Sequence, residues 1–112
     1  MQARVFATRR YEREAKRLLS TAEIANMENA IAADPESHPV IPGTGGVRKA
    51  RWARAGRGKS GGVRVIYYYF VRDGEVYMLA VYAKGDQADL SATEKVGVRK
   101  FVEALSHAKS EN

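Results

Sequence analysis

Apolar residues recur along this chain with two periods, and the points where the period changes mark its elements. Residues 4–7 read as a short opening strand, after which Tyr11, Ala15, Leu18 and Leu19 fall on one side of a helix. Ser20-Thr21-Ala22-Glu23 has the spacing of a capping box, in which the serine hydroxyl accepts from a first-turn amide and the glutamate reaches back. A second helix is therefore expected to begin at once. Ile24, Met27 and Ile31 give it an apolar stripe, and Asp34-Pro35 ends it because the residue before proline avoids helical backbone. The two helices should form a hairpin.

Residues 37–46, rich in Pro and Gly, predict a loop leading to a strand over 47–53. Residues 54–62, RAGRGKSGG, hold four glycines and no apolar side chain larger than alanine, and read as a basic loop. Residues 63–71, VRVIYYYFV, are dense in β-branched and aromatic side chains and predict the chain's most distinct strand. Asp73-Gly74 suits a type I′ turn, and residues 76–82 form the return strand. Ser91-Ala92-Thr93-Glu94 repeats the capping-box spacing ahead of Val98, Phe101, Val102 and Leu105, so a terminal helix should pack on the sheet or on a partner. The pattern predicts one α+β domain over residues 1–112. It consists of an antiparallel sheet with an N-terminal helical hairpin and a C-terminal helix, the helices gathered mainly on one face.

Charge distribution changes this picture more than charge total. Of the +6 formal net charge, everything in excess lies between residues 37 and 72, where eight basic residues occur without an Asp or Glu. The remainder holds 11 basic and 13 acidic residues and sums to −2. Such clustering points to a polyanion partner more than a generally basic surface would. There is no cysteine, so neither a disulfide framework nor a thiolate metal site can be built. The longest apolar run, residues 65–71, is far short of a membrane span, and the N-terminus shows no hydrophobic signal core. A cytoplasmic protein with no membrane partner is expected.

Several motifs can be set aside. Gly58-Lys59-Ser60 ends like a phosphate-binding P-loop, but that motif needs glycine at position 53, where Ala53 stands, and a helix should follow instead of a strand. His38 and His107 are far apart with no partner ligands, so neither a metal nor another cofactor is implied. His38 is expected to be exposed in its loop, and His107 to sit favourably at a helix C-terminus. Asp86 and Asp89, the acids nearest Lys84, look like turn and pre-helix residues.

What remains is a set of cations and aromatic rings. Lys49 and Arg51 alternate on a strand and must share a face, and Arg64 opens the strongest strand. Such groups bind phosphates and stabilise the charge that grows on a phosphorane. Arg48, Arg54, Arg57 and the stacking face of Tyr68 are candidate RNA contacts, and Tyr82 beside Lys84 is the tyrosine favoured for an active-site role. Helix one carries Arg9, Arg10, Arg13, Lys16 and Arg17 beside Glu12 and Glu14, and reads as a mixed solvated face.

The segments at residues 41–51 (IPGTGGVRKAR), 56–68 (GRGKSGGVRVIYY) and 81–84 (VYAK), with Asp89-Leu90-Ser91 leading into the last helix, resemble the HigB-like branch of the RelE toxin superfamily over nearly the whole chain. That resemblance implies a RelE-like microbial RNase fold and a ribosome-dependent endoribonuclease that needs no metal. In it the message's own 2′-hydroxyl attacks the adjacent phosphate. It also implies messenger RNA on the ribosome and ribosomal RNA as partners, and neutralisation by a HigA-like helix-turn-helix antitoxin. By position, Lys49 and Arg51 match the basic pair of the first sheet strand, Arg64 the arginine at the scissile phosphate, and Lys84 the basic position after the last strand. Gly85 and Ser91 stand where some members carry an arginine and a tyrosine, which leaves Lys59 or Tyr82 to assist proton transfer. Two other readings stay open: an RNA- or ribosome-binding protein that does not cleave, and a subunit that helps its antitoxin hold an operator.

Overall fold

A computed structural model describes residues 2–54 and 62–110, so Arg57 and Lys59 lie outside the described residues. The elements follow in the order β1 (Arg4–Ala7), α1 (Arg9–Leu18), α2 (Thr21–Ala33), β2 (Arg48–Trp52), β3 (Val63–Phe70), β4 (Glu75–Ala83) and α3 (Ala92–Ser110). Both expected capping boxes form. Ser20 accepts from the Glu23 amide at 3.1 Å while Glu23 accepts from the Ser20 amide at 2.8 Å, and Ser91 and Glu94 repeat the exchange at 3.1 and 2.9 Å.

The four strands form a sheet in the order β1-β4-β3-β2. The β2–β3 and β3–β4 pairs are antiparallel, as the sequence pattern predicts, but β1 lies parallel to β4, which makes the sheet mixed. The 3-10 turn Val71–Asp73 joins β3 to β4, and Gly74 closes it with φ of 64°. Asp73 does not take positive φ, so the expected type I′ turn is absent. A bulge between the Ile66–Ala80 and Tyr67–Met78 pairs leaves Leu79 without a register partner in β3. The neighbourhood of the bulge is tied down by side chains: the Val81 amide donates to Glu14 at 3.1 Å, and the Thr8 hydroxyl to the Met78 and Leu79 carbonyls at 3.1 and 3.2 Å. Thr8 also caps α1 by accepting from the Tyr11 amide.

Strand alternation gives the sheet two apolar faces, and helices occupy both instead of mainly one. On one face Val63, Val65, Tyr67, Val76, Met78 and Val81 pack with Tyr11, Ala15, Leu19, Met27 and Ile31 of the hairpin. Burying each large apolar side chain of this layer contributes about 1.5–3 kcal/mol. On the other face Ile66, Leu79, Ala80 and Tyr82 pack with Val98 and Val102 of α3. Charge pairs fix the ends of α3. Arg10 meets Glu94 at 2.6 Å near its start, and Lys109 bonds Asp73 at 2.8 Å and the buried Glu75 near its end.

Before β2 the chain runs through a turn locked by Thr44, which is fully buried. Its hydroxyl donates to the Ile41 carbonyl at 2.6 Å and accepts from the Val47 amide at 3.1 Å. Gly43, Gly45 and Gly46 around it have φ of 79°, 80° and 111°, conformations that side chains other than glycine rarely adopt.

Candidate nucleic-acid interface

On the α3 side of the sheet a single cross-strand row holds Arg51 of β2, Arg64 of β3 and Tyr82 of β4, each opposite the next. Lys49 lies one row along, where its partner is Ile66. Beyond the row, the Lys84 amide donates to the Gly62 carbonyl at 3.4 Å, so the β3–β4 pairing continues to the residue that shares a face with Tyr82. Lys49, Arg51, Arg64, Tyr82 and Lys84 are thus brought to one end of one face. Arg51 and Lys84 are exposed, and neither side chain takes a hydrogen bond or ion pair among the described residues.

Two members of the row are buried. Arg64 is 4% exposed, and its Nη1 donates to the Val63 carbonyl at 3.4 Å. Arginine is among the side chains least often buried, so one this enclosed at the head of the central strand is unusual for packing alone. Tyr82 is also 4% exposed, and its hydroxyl has no hydrogen-bond partner among the described residues. Burial pushes that phenol up, with Asp89 and Glu94 acting in the same direction and Arg64 against it. Tyr82 therefore keeps its proton at neutral pH and can serve as a donor.

Gly62 shapes this end of the sheet. A Cβ placed on it would overlap the Trp52 carbonyl oxygen and lie 3.0 Å from the Ala53 Cα. Only a residue without a side chain lets β2 approach β3 where Arg51 meets Arg64. The sequence marks Gly62 only as the last glycine of a loop, and the close approach is visible only once the strands pair.

Other expected contacts lie elsewhere. Arg48 points to the opposite face, where its Nη1 donates to the Glu36 and His38 carbonyls at 3.0 and 2.6 Å. Tyr68 shares the face of Arg64 but lies four residues along β3, opposite Tyr77, and packs over Gly46. Arg54 is half-buried two residues beyond the end of β2. His38, expected to be exposed, is half-buried and bonds the Tyr67 hydroxyl at 3.2 Å. Tyr67 itself donates to the Pro35 carbonyl at 2.7 Å and is a core residue. Asp89, read from sequence as a pre-helix residue, does accept from the Leu90 amide at 2.9 Å, but it also meets Lys49 at 3.4 Å.

The α+β fold thus brings two arginines and a buried phenol into one cross-strand row at one end of the sheet, and comparison with known proteins gives the family. The fold matches a double arginine-to-alanine variant of the E. coli toxin RelE in the free state, with a TM-score of 0.63, 19% identity, and coverage of 87% of this chain and 97% of that one. Residues 3–112 match the family described as the RelE toxin of the RelE/RelB toxin–antitoxin system. The chain belongs to the RelE toxin family. Among the described residues, no helix is long and apolar enough to cross a membrane.

Proposed function

We propose that this chain is a metal-independent, ribosome-dependent messenger RNA endoribonuclease, the toxin of a type II toxin–antitoxin pair in the HigB-like branch. The Arg51–Arg64–Tyr82 row, flanked by Lys49 and Lys84, is the observation that carries this reading. In the proposed reaction the 2′-hydroxyl of one nucleotide attacks the adjacent phosphorus as its proton passes to a base. The bond to the 5′-oxygen breaks, that oxygen is protonated, and a 2′,3′-cyclic phosphate and a 5′-hydroxyl end result.

The non-bridging oxygens gain charge on the way to the phosphorane, and Arg64 with Lys49 and Arg51 would stabilise it from fixed positions. Tyr82, held protonated by burial, suits donation to a phosphate oxygen or to the leaving 5′-oxygen better than it suits proton abstraction. That leaves Lys59 as the proposed base. No step requires a metal, in keeping with a sequence that has no cysteine and two separated histidines. On the far side of the sheet, Arg9, Arg13, Lys16 and Arg17 form an exposed ridge at helical spacing, which we assign to ribosomal RNA. The likeness of residues 41–51 and 56–68 to HigB-like toxins supports a HigA-like antitoxin as partner and a cytoplasmic site of action.

Mapping new messenger RNA ends after brief induction, with Arg64→Ala at matched expression, tests this reading. Codon-phased cuts that fall about a hundredfold with Arg64→Ala are expected. Protein stripped with EDTA and desalted before it meets ribosomes should cut as fast as untreated protein. Retained RNA binding without new ends would replace the nuclease by a binding protein.

A further inference from the structure

One row along from Arg51 and Arg64, a cavity of about 270 Å³ opens between the turn at residues 39–42 and the side chains of Lys49, Asp89 and Lys95. Its turn wall is apolar, made of prolines with Ile41 and Val40, and Val40 is left 45% exposed. Its other wall is charged with mixed sign. Asp89 Oδ1 accepts from the Leu90 amide at 2.9 Å and from Lys49 at 3.4 Å, while Oδ2 takes no hydrogen bond among the described residues. Partial burial pushes this carboxyl up, but the Leu90 amide, Lys49 and Lys95 outweigh it and hold it below the ordinary carboxylate range. At neutral pH Asp89 is thus a pure acceptor lining the cavity: Oδ2 has no partner among the described residues, and Oδ1, with only the Leu90 amide close, can take a further donor in place of the long Lys49 contact.

An apolar wall, a free acceptor and two flanking cations suit an unpaired nucleotide: ring against the turn, base edge on the carboxylate, phosphate near the lysines. The chemistry also distinguishes among bases. Guanine alone presents two adjacent N–H donors, N1–H and N2–H, on its Watson–Crick edge. Adenine and cytosine offer one donor beside an acceptor that a carboxylate repels, and uracil offers one donor between two carbonyls. Lys49 and Arg51 are two positions apart on β2, a distance of roughly 7 Å, so the cavity stands beside the proposed scissile phosphate.

We propose that Asp89, framed by Lys49, Lys95 and the turn at residues 39–42, forms a base-reading subsite selective for guanine in single-stranded RNA. The proposal rests on the nuclease reading for its place in a reaction, but the subsite can be tested without cleavage.

The test is NMR titration of the intact chain with GMP, AMP, CMP and UMP in turn, following the amides of Asp89, Leu90 and Val40. GMP is expected to bind about tenfold or more tightly than the other three. Asp89→Asn, which keeps an oxygen for the Leu90 amide, should abolish that preference while leaving the melting temperature near wild type. Lys95→Ala should weaken all four nucleotides alike and keep the preference for GMP. Equal binding of all four nucleotides, no shifts at these amides with any of them, or undiminished preference in Asp89→Asn would overturn the subsite. Guanine selectivity in a chain that generates no RNA ends would leave the subsite standing and remove only the nuclease reading.

Discussion

A buried hydroxyl without a partner has given up its hydrogen bonds to water and gained none in return, and among the described residues Tyr82 carries such a hydroxyl beside Arg64. Replacing it by phenylalanine keeps the ring that packs with Ile66 and Leu79 and removes only the unsatisfied oxygen. Tyr82→Phe is therefore expected to match or exceed the wild type in stability, by up to about 1 kcal/mol in urea unfolding. Cleavage should fall about tenfold or more with the same substitution, because the donor is lost. A destabilised variant with full activity would make Tyr82 a core residue only. His38 carries a different consequence. Burial lowers its pKa, Arg48 acts in the same direction and Asp34 opposes them, so the fold favours the neutral ring. The unfolded chain takes up its proton near the ordinary value of about 6.5, above the folded value. Stability from this residue is thus full above that pH and is lost as pH falls toward the folded pKa. Thermal melts at pH 7.5 and 5.5 should show a drop in wild type that His38→Gln reduces.

At the scale of elements, Gly62 holds β2 and β3 together where the cation row forms. Gly62→Ala would push its Cβ into the Trp52 backbone, which has no side-chain freedom to yield. We expect a loss of about 1–3 kcal/mol, together with a fall in cleavage larger than that of an equally destabilising core variant such as Ile31→Val. Comparing the two at matched fractions folded separates misplacement of Arg51 and Arg64 from simple unfolding. Elements whose signals are local were legible in the sequence: both capping boxes, the Asp34-Pro35 stop of α2 and the aromatic run of β3 all stand where the residues put them. Lys49 and Arg51 were placed on one face by alternation alone. What depends on pairing between distant segments was not legible. Nothing in residues 4–7 says that β1 joins β4 in parallel. Nor does the stripe of α3 say which sheet face it covers, since that choice is enforced by Arg10 with Glu94 and Lys109 with Glu75. Tyr68 and Arg48 stand away from the Arg51–Arg64–Tyr82 row for the same reason. Their chemistry suits RNA, but Gly46 and the loop carbonyls at Glu36 and His38 already engage them.

For the whole molecule, two groups of basic residues lie on surfaces that the sheet separates. The α3 side carries Lys49, Arg51, Arg64 and Lys84, and the outer side of α1 carries Arg9, Arg13, Lys16 and Arg17. A short single-stranded RNA can lie on one of these surfaces at a time, whereas a ribosome can surround both. Each phosphate neutralised on a single strand contributes a slope of about −0.7 to the dependence of log K on log salt. Binding of a labelled pentanucleotide carrying 2′-deoxyribose at every position, which prevents attack, should therefore weaken steeply with salt. Lys84→Ala should make that slope shallower by about 0.7, because Lys84 is exposed and has no competing carboxylate among the described residues. Arg13→Ala should leave the pentanucleotide slope unchanged and yet weaken association with ribosomes. Equal effects of both substitutions on the short RNA would mean that it binds by diffuse charge over both surfaces, and the sheet face would then lose its claim to be the groove. A change with Lys84→Ala alone separates a surface that holds the message from one that holds its surroundings, a division of labour that net charge alone cannot produce.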